Sequence, residues 1–264
     1  MFFIDVQGTL IDDINKKPIA GACEFIDKLN EEKIPYVIIT NNTKKLSSDF
    51  FDFLKGLGFN IKENNYIDPF VILKDIAKNK KVAAFGQESF PKVLQKMGYE
   101  LEYEKPQTVM VSISKDYTNE DYSKMIECAL KTDDLIGMHE TSIYSKDGSR
   151  YPGVGAIMSM IKFAVNKDYK VVGKPSFNFY NEARKLLGTE DFKDITIISD
   201  DMMGDLVGAK KLGMKTVLVL SGKIKDANEV IPTLKEEEKP EYICKNMSEV
   251  LQLLHKEKLW LKRD

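Results

Sequence analysis

Cysteine and histidine are scarce in this chain of 264 residues, with three of one and two of the other. Cys23, Cys128 and Cys244 lie far apart and form no Cys-x-x-Cys pair. That excludes a zinc ribbon or a disulfide scaffold and leaves three reduced thiols packed as small hydrophobes. His139 and His255 are too few for a histidine-rich metal site, and a Ser-His-Asp triad would have to use one of them. No apolar run approaches the roughly 18 residues that a spanning helix needs. Met1-Phe2-Phe3-Ile4-Asp5 has no basic leader and meets a carboxylate at once, so it reads as a strand rather than a signal peptide. A cytoplasmic location and no membrane partner are therefore expected. Charge of one sign is also lacking: 39 Lys and Arg stand against 41 Asp and Glu, a net charge of -2. No basic excess suggests nucleic acid, and none is expected as a partner.

What is present is a globular composition, 43% hydrophobic and 30% charged, on a chain long enough for one large or two small domains. Short apolar runs recur at Phe2 to Val6, Tyr36 to Ile39, Val82 to Gly86, Val109 to Ile113, Ile195 to Ser199 and Thr216 to Leu220, that of Tyr36 to Ile39 being rich in β-branched residues. Such runs suit strands covered on both faces of a parallel sheet. Between them lie helical patterns. One carries Ala22, Ile26 and Leu29 on one face; another carries Leu46, Phe50, Leu54 and Leu57 and stops at Gly58. Thr118, with Asp121 three residues on, predicts a capped helix start, and Ser176 caps a helix that ends at Gly188. A helix is predicted from about Asp205 to Leu212. The stretch Ser145 to Gly155 reads as turns, Glu236 to Glu238 as a solvated loop, and Trp260 as an anchor for the chain end. Alternating strands and helices predict a doubly wound α/β fold with a parallel sheet. The less regular middle reads as an inserted second domain over residues 75–172, leaving 1–74 and 173–264 as the core.

Four apolar strands are each followed by chemistry. Asp5 follows the first, Thr40-Asn41-Asn42 the second, Lys174 follows Val171-Val172-Gly173, and Asp200-Asp201 with Asp205 follow Ile197-Ile198-Ser199. Ligands of open α/β sheets bind outside the carboxyl ends of the strands, so two acids, a hydroxyl and an ammonium would meet in one crevice.

Taken in order, these residues resemble the haloacid dehalogenase superfamily. Asp5-Val6-Gln7-Gly8-Thr9 is similar to its first motif, Asp-x-Asp-Gly-Thr; Thr40-Asn41-Asn42 to its second; Gly173-Lys174-Pro175 to its third; and Asp200 to Asp205 to its fourth. The Thr-Asn-Asn form, the inserted middle and Pro152-Gly153-Val154-Gly155-Ala156 resemble the NagD-like branch with its α/β cap. The resemblance implies a Rossmann-like core with an inserted cap, and a phosphatase acting on a small phosphorylated metabolite through an aspartyl-phosphate on Asp5. It implies Mg²⁺ held by Asp5, the Gln7 backbone carbonyl, Asp200 and, through water, Asp205. Thr40, Asn41 and Asn42 would hold phosphate oxygens and Lys174 would stabilise the transferring group. Gly8 would let the backbone approach the phosphate. Capped relatives often dimerise through the cap, so a homodimer is the state it suggests.

Two departures matter. The second aspartate of the first motif, the family's general acid and base, is Gln7 here. A carboxamide exchanges no proton near neutral pH, and acid–base help is worth about 10²–10⁴-fold in rate. Good leaving groups, as in phosphoramidates, pyrophosphate or aryl phosphates, would suffer least. The competing reading is a catalytically weak or inactive phosphate-binding regulator. The other departure is in the cap, where the branch's Thr-Asn-x-Asp is replaced by Gly137-Met138-His139-Glu140-Thr141, making His139 a candidate substrate contact.

Overall fold

A computed structural model describes residues 1–146 and 149–257. The first half runs β1 (Phe2–Asp5), α1 (Ala22–Glu31), β2 (Tyr36–Ile39), α2 (Ser47–Gly56), β3 (Tyr66–Ile67), α3 (Pro69–Ile76), β4 (Lys81–Phe85), α4 (Ser89–Lys96), β5 (Glu100–Leu101), β6 (Thr108–Val111) and α5 (Asn119–Leu130). The second half runs β7 (Leu135–Gly137), β8 (Ile143–Lys146), β9 (Ser149–Pro152), α6 (Val154–Val165), β10 (Lys170–Val171), α7 (Phe177–Leu187), β11 (Thr196–Ser199), α8 (Val207–Lys211), β12 (Lys215–Val219), β13 (Tyr242–Cys244) and α9 (Met247–Glu257). Two compact units result, with boundaries inside α2 and α7. One takes Met1–Thr40, Phe51–Ile67 and Asn181–Asp264; the other takes Asn41–Phe50 and Asp68–Tyr180. Among the described residues no helix is long and apolar enough to cross a membrane.

The first unit is a six-stranded parallel sheet in the order β13-β12-β11-β1-β2-β3. Its central strands β1, β2 and β11 are buried along their whole length, as continuous apolar runs require when helices cover both faces. Helix α1 turns Ala22, Phe25, Ile26 and Leu29 inward, and Phe25 meets Phe2 of β1 edge to face at 5.8 Å. From β1 the sheet grows through β2 and β3 to one side and through β11, β12 and β13 to the other. The growth direction therefore reverses between β1 and β11, which makes a crevice at their carboxyl ends.

The second unit is a five-stranded parallel sheet in the order β10-β7-β6-β4-β5, with an antiparallel pair β8–β9 beside it in sequence. Val109 and Val111 of β6, Met125 and Cys128 of α5, and Ile157, Met158 and Ile161 of α6 share its core. The expected insertion over 75–172 lies inside the 68–180 stretch of this unit, which also takes 41–50. Thr118 forms the predicted capping box with Asp121.

Three sequence expectations change. The stretch read as turns contains the β8–β9 hairpin. The helix predicted from Asp205 starts at Val207, because one π-helical turn over Met202–Leu206 comes first. Helix α3, not foreseen, begins as its sequence allows: Pro69 opens it, and the Asp68 carboxylate accepts the N–H groups of Phe70 and Val71. Trp260 lies outside the described residues.

Candidate active site

The first unit holds Asp5, Gln7, Thr40, Asp200 and Asp205; the second holds Asn41, Asn42, His139 and Lys174. In the first, Asp5 ends β1 and Asp200 follows β11, its neighbour in the sheet. The two backbones run in register and deliver both carboxylates, each buried, to the crevice where the sheet reverses. Thr40 follows β2, whose Ile39 pairs with Asp5 on the other side.

Main-chain contacts hold Asp200 in place. Its N–H donates to Thr9 Oγ1 at 3.1 Å, and its Oδ2 accepts the Lys223 N–H at 2.6 Å. Two glycines make the space it fills: a Cβ on Gly8 would lie 2.2 Å from Asp200 Oδ2, and one on Gly222 only 1.8 Å. Gly8 also sits at φ +75°, a conformation that favours glycine. A side chain at either position would therefore collide with Asp200. Asp205 lies one turn on and accepts from Ser199 Oγ at 2.7 Å. Asp201 takes part in the architecture: Oδ1 accepts the Gly204 N–H at 2.8 Å, and Oδ2 accepts from Lys223 Nζ.

Burial first, and the neighbouring Asp5 carboxylate second, push the Asp200 carboxyl well above the ordinary carboxylate range; the Lys223 N–H and ammonium work against them. Among the described residues no three His, Cys, Asp or Glu side chains form a ready cage for a metal. Magnesium does not need one, since it takes one or two carboxylates and completes its shell with water and phosphate oxygens. A buried carboxylate crowded by a second is a donor set that fits it. The cation would offset both the burial of Asp200 and its repulsion by Asp5.

The amide of Gln7 is held as well: Oε1 accepts from Lys16 Nζ at 2.7 Å. Lys16, Ser199, Gly222 and Lys223 were not visible as site residues in the sequence. Ser221-Gly222-Lys223 follows the apolar run of β12, so it is a further strand end carrying polar chemistry, and that was the available signal.

In the second unit Asn41 clasps the backbone of Lys174. Its Oδ1 accepts the Lys174 N–H at 2.8 Å and its Nδ2 donates to the Lys174 carbonyl at 3.3 Å. The Glu140 N–H donates to the same carbonyl at 3.1 Å. Gly173 permits this packing, because a Cβ there would stand 2.3 Å from the Met138 carbonyl oxygen. Lys174 and His139 are both buried, and His139 Nδ1 shares a hydrogen bond with Thr141 Oγ1 at 2.9 Å. The fold thus brings Asn41, His139 and Lys174 together. Asn42 is used by its own loop: Oδ1 accepts the N–H groups of Lys44 and Lys45, and Nδ2 donates to the Lys45 carbonyl at 2.8 Å and to Asp68 at 3.2 Å.

Comparison with known proteins finds family matches in two separate stretches of the chain. Residues 2–100 match the haloacid dehalogenase-like hydrolase family, and residues 171–250 match a HAD-hydrolase-like family. The chain is 25% identical over 261 residues to the bovine phospholysine phosphohistidine inorganic pyrophosphate phosphatase, covering 95% of this chain and 92% of that one. Among solved structures, the p-nitrophenyl phosphatase from Archaeoglobus fulgidus superposes with a TM-score of 0.76 at 24% identity, covering 96% of this chain and 98% of that one. NagD from E. coli K-12 superposes with a TM-score of 0.73 at 21% identity, covering 94% and 96%. The last two likenesses speak for the fold.

Proposed function

We propose that this chain, whose residues 2–100 and 171–250 match haloacid dehalogenase-like hydrolase families, is a magnesium-dependent phosphatase of the NagD-like branch with Asp5 as its nucleophile. The observation that carries this reading is the pair of buried carboxylates, Asp5 and Asp200, at the reversal point of the first sheet, with Asp200 driven towards protonation by burial and by Asp5. Such a pair is costly without a cation and suited to one.

In this reading Asp5, Asp200 and the Gln7 backbone carbonyl would hold Mg²⁺, and Asp205 would reach it through water. The bound ion offsets the repulsion between an anionic nucleophile and a phosphate dianion. Asp5 attacks phosphorus, the leaving oxygen or nitrogen departs with its electron pair, and water later cleaves the aspartyl-phosphate. Thr40 and the main chain at Asn41 bind phosphoryl oxygens. Lys174 supplies positive charge to the transferring group, and Asn41 holds its backbone for that purpose. Asn42 shapes the loop that carries Asn41, and His139 contacts the substrate's remainder.

Gln7 directs the substrate class. Without a proton donor at that position, leaving groups that need no proton from the enzyme are favoured, namely weakly basic oxygens and nitrogens that solvent protonates before they depart. The phospholysine, phosphohistidine and pyrophosphate named for the bovine relative meet that condition. The substrate we propose is therefore a small phosphorylated metabolite carrying a P–N, P–O–P or aryl ester bond.

A panel of phosphorylated metabolites, phosphoramidates and pyrophosphate, assayed with Mg²⁺, tests this. Phosphate release that falls by at least about 10³-fold in Asp5→Asn supports it. Turnover that survives that substitution refutes it. Gln7 also favours a second reading, a phosphate-binding regulator without turnover. Phosphate binding with no hydrolysis across the whole panel would select it.

A further inference from the structure

Residues 12–17, between β1 and α1, form a loop more tightly built than its exposure requires. Asp12 Oδ1 accepts the N–H groups of Ile14 at 3.1 Å and Asn15 at 2.6 Å, and its Oδ2 accepts that of Lys17 at 2.9 Å. The Asp12 N–H donates to the Lys17 carbonyl at 2.9 Å, closing the loop at its base. Inside this clasp Lys16 is held at φ +55°, the left-handed region that residues with a Cβ disfavour. A disfavoured conformation persists where the surroundings over-determine it, and such places concentrate at functional sites.

The consequence of that turn is where the lysine points. Its Nζ reaches Gln7 Oε1 at 2.7 Å, with the Asp13 carboxylate 3.7 Å away on its other side. Lysine is a donor only, so the amide end that faces it is the oxygen. The N–H₂ donors of Gln7 are then what the side chain has left to offer. An ammonium on the carbonyl oxygen draws electron density from the amide and strengthens those donors.

We propose that Lys16 is a positioning residue that makes Gln7 a fixed, polarised hydrogen-bond donor to the oxygen leaving phosphorus. This rests on the reading that Gln7 stands beside the reacting phosphoryl group. Asp5 forms its bond to phosphorus as the bond to the leaving oxygen breaks, and the electron pair stays on that oxygen. Gln7 donates a hydrogen bond to the developing anion and transfers no proton. Water protonates the released anion where its basicity requires it. Lys16 acts on this step only through the amide, by holding its orientation and raising its donor strength.

The test is a leaving-group series: kcat/KM of the full-length enzyme with Mg²⁺ for aryl phosphates whose phenols span a wide range of acidity. In Lys16→Met the rate should change little for the most acidic phenol and fall by roughly tenfold or more for the least acidic, steepening the dependence. Lys16→Arg should restore most of the loss, and Asp12→Ala, which releases the loop, should steepen the series less than Lys16→Met. A uniform fall across the series, or no change, would overturn the proposal, since damage to structure lowers all substrates alike. Asp5→Asn separates the two levels. Rates that survive it remove the phosphatase reading and this inference together. Rates lost in Asp5→Asn with an unaltered slope in Lys16→Met remove the inference alone.

Discussion

At position 7 a carboxamide stands where the related motif has a carboxylate, and Lys16 occupies its oxygen. Restoring the carboxylate is therefore not a simple repair. In Gln7→Asp the new carboxyl would sit beside an ammonium, which favours its ionised form and weakens it as a proton donor. We expect Gln7→Asp alone to recover little alkyl-phosphate hydrolysis, and Gln7→Asp with Lys16→Met to recover about 10-fold or more. Steady-state rates on one alkyl phosphate check this; equal recovery in the single and double variants would contradict it. Asp200 yields a second expectation. Its carboxyl is raised in the folded protein, so the stability it contributes is present below the unfolded value and is lost as pH rises through the folded one. Without metal, the protein should lose stability from this group as pH rises above about 4. Asp200→Asn should flatten that decline and raise the metal-free Tm near neutral pH while abolishing turnover. A lower metal-free Tm in Asp200→Asn at neutral pH would count against the repulsion. The cysteines fit the expectation of inert packing: Cys128 and Cys244 are buried, Cys23 is partly so, and burial pushes the Cys244 thiol up to about 11.

Elements differ in how openly the sequence announces them. The cap of α5 was legible because both partners are three residues apart: Thr118 Oγ1 accepts the Asp121 N–H at 3.2 Å and Asp121 Oδ2 accepts the Thr118 N–H at 2.9 Å. Thr118→Ala should cost about 1 kcal/mol, read as a lower denaturation midpoint with turnover retained. A loss of activity at unchanged stability would assign that cap a different role. The central strands were legible for a similar reason, since short runs dominated by apolar, β-branched residues suit a doubly covered sheet. The short strands β3, β5 and β13 were not, because two or three residues carry no periodicity. The β8–β9 pair reads as turn in the sequence because its cross-strand partners, such as Ile143 and Pro152, give it no apolar alternation. The start of α3 was legible in hindsight in Asp68-Pro69, although its cap also accepts from Asn42 and Ser47, which no local pattern announces.

For the molecule as a whole, metal and stability should be linked. Any cation that binds the folded crevice and not the unfolded chain stabilises the protein, by about 2.7 kcal/mol at a hundredfold excess over Kd. Mg²⁺ should therefore raise Tm in the wild type and do so much less in Asp200→Asn, and chelation should end turnover reversibly. A Tm indifferent to Mg²⁺ in the wild type would argue against a metal at Asp5 and Asp200. What the sequence by itself determined was the order of the parts: apolar runs followed by Asp5, Thr40, Lys174 and Asp200, and a carboxamide at Gln7. Those follow from local composition and from spacing along one dimension. Which residues brace one another was decided only in three dimensions. Thr9 under Asp200, Gly8 and Gly222 beside its carboxylate, Asn41 across Lys174 and Lys16 on Gln7 are contacts set by strand order and by one left-handed turn. Neither strand order nor the sign of φ leaves a repeating mark in a linear chain, so only the folded backbone could supply them.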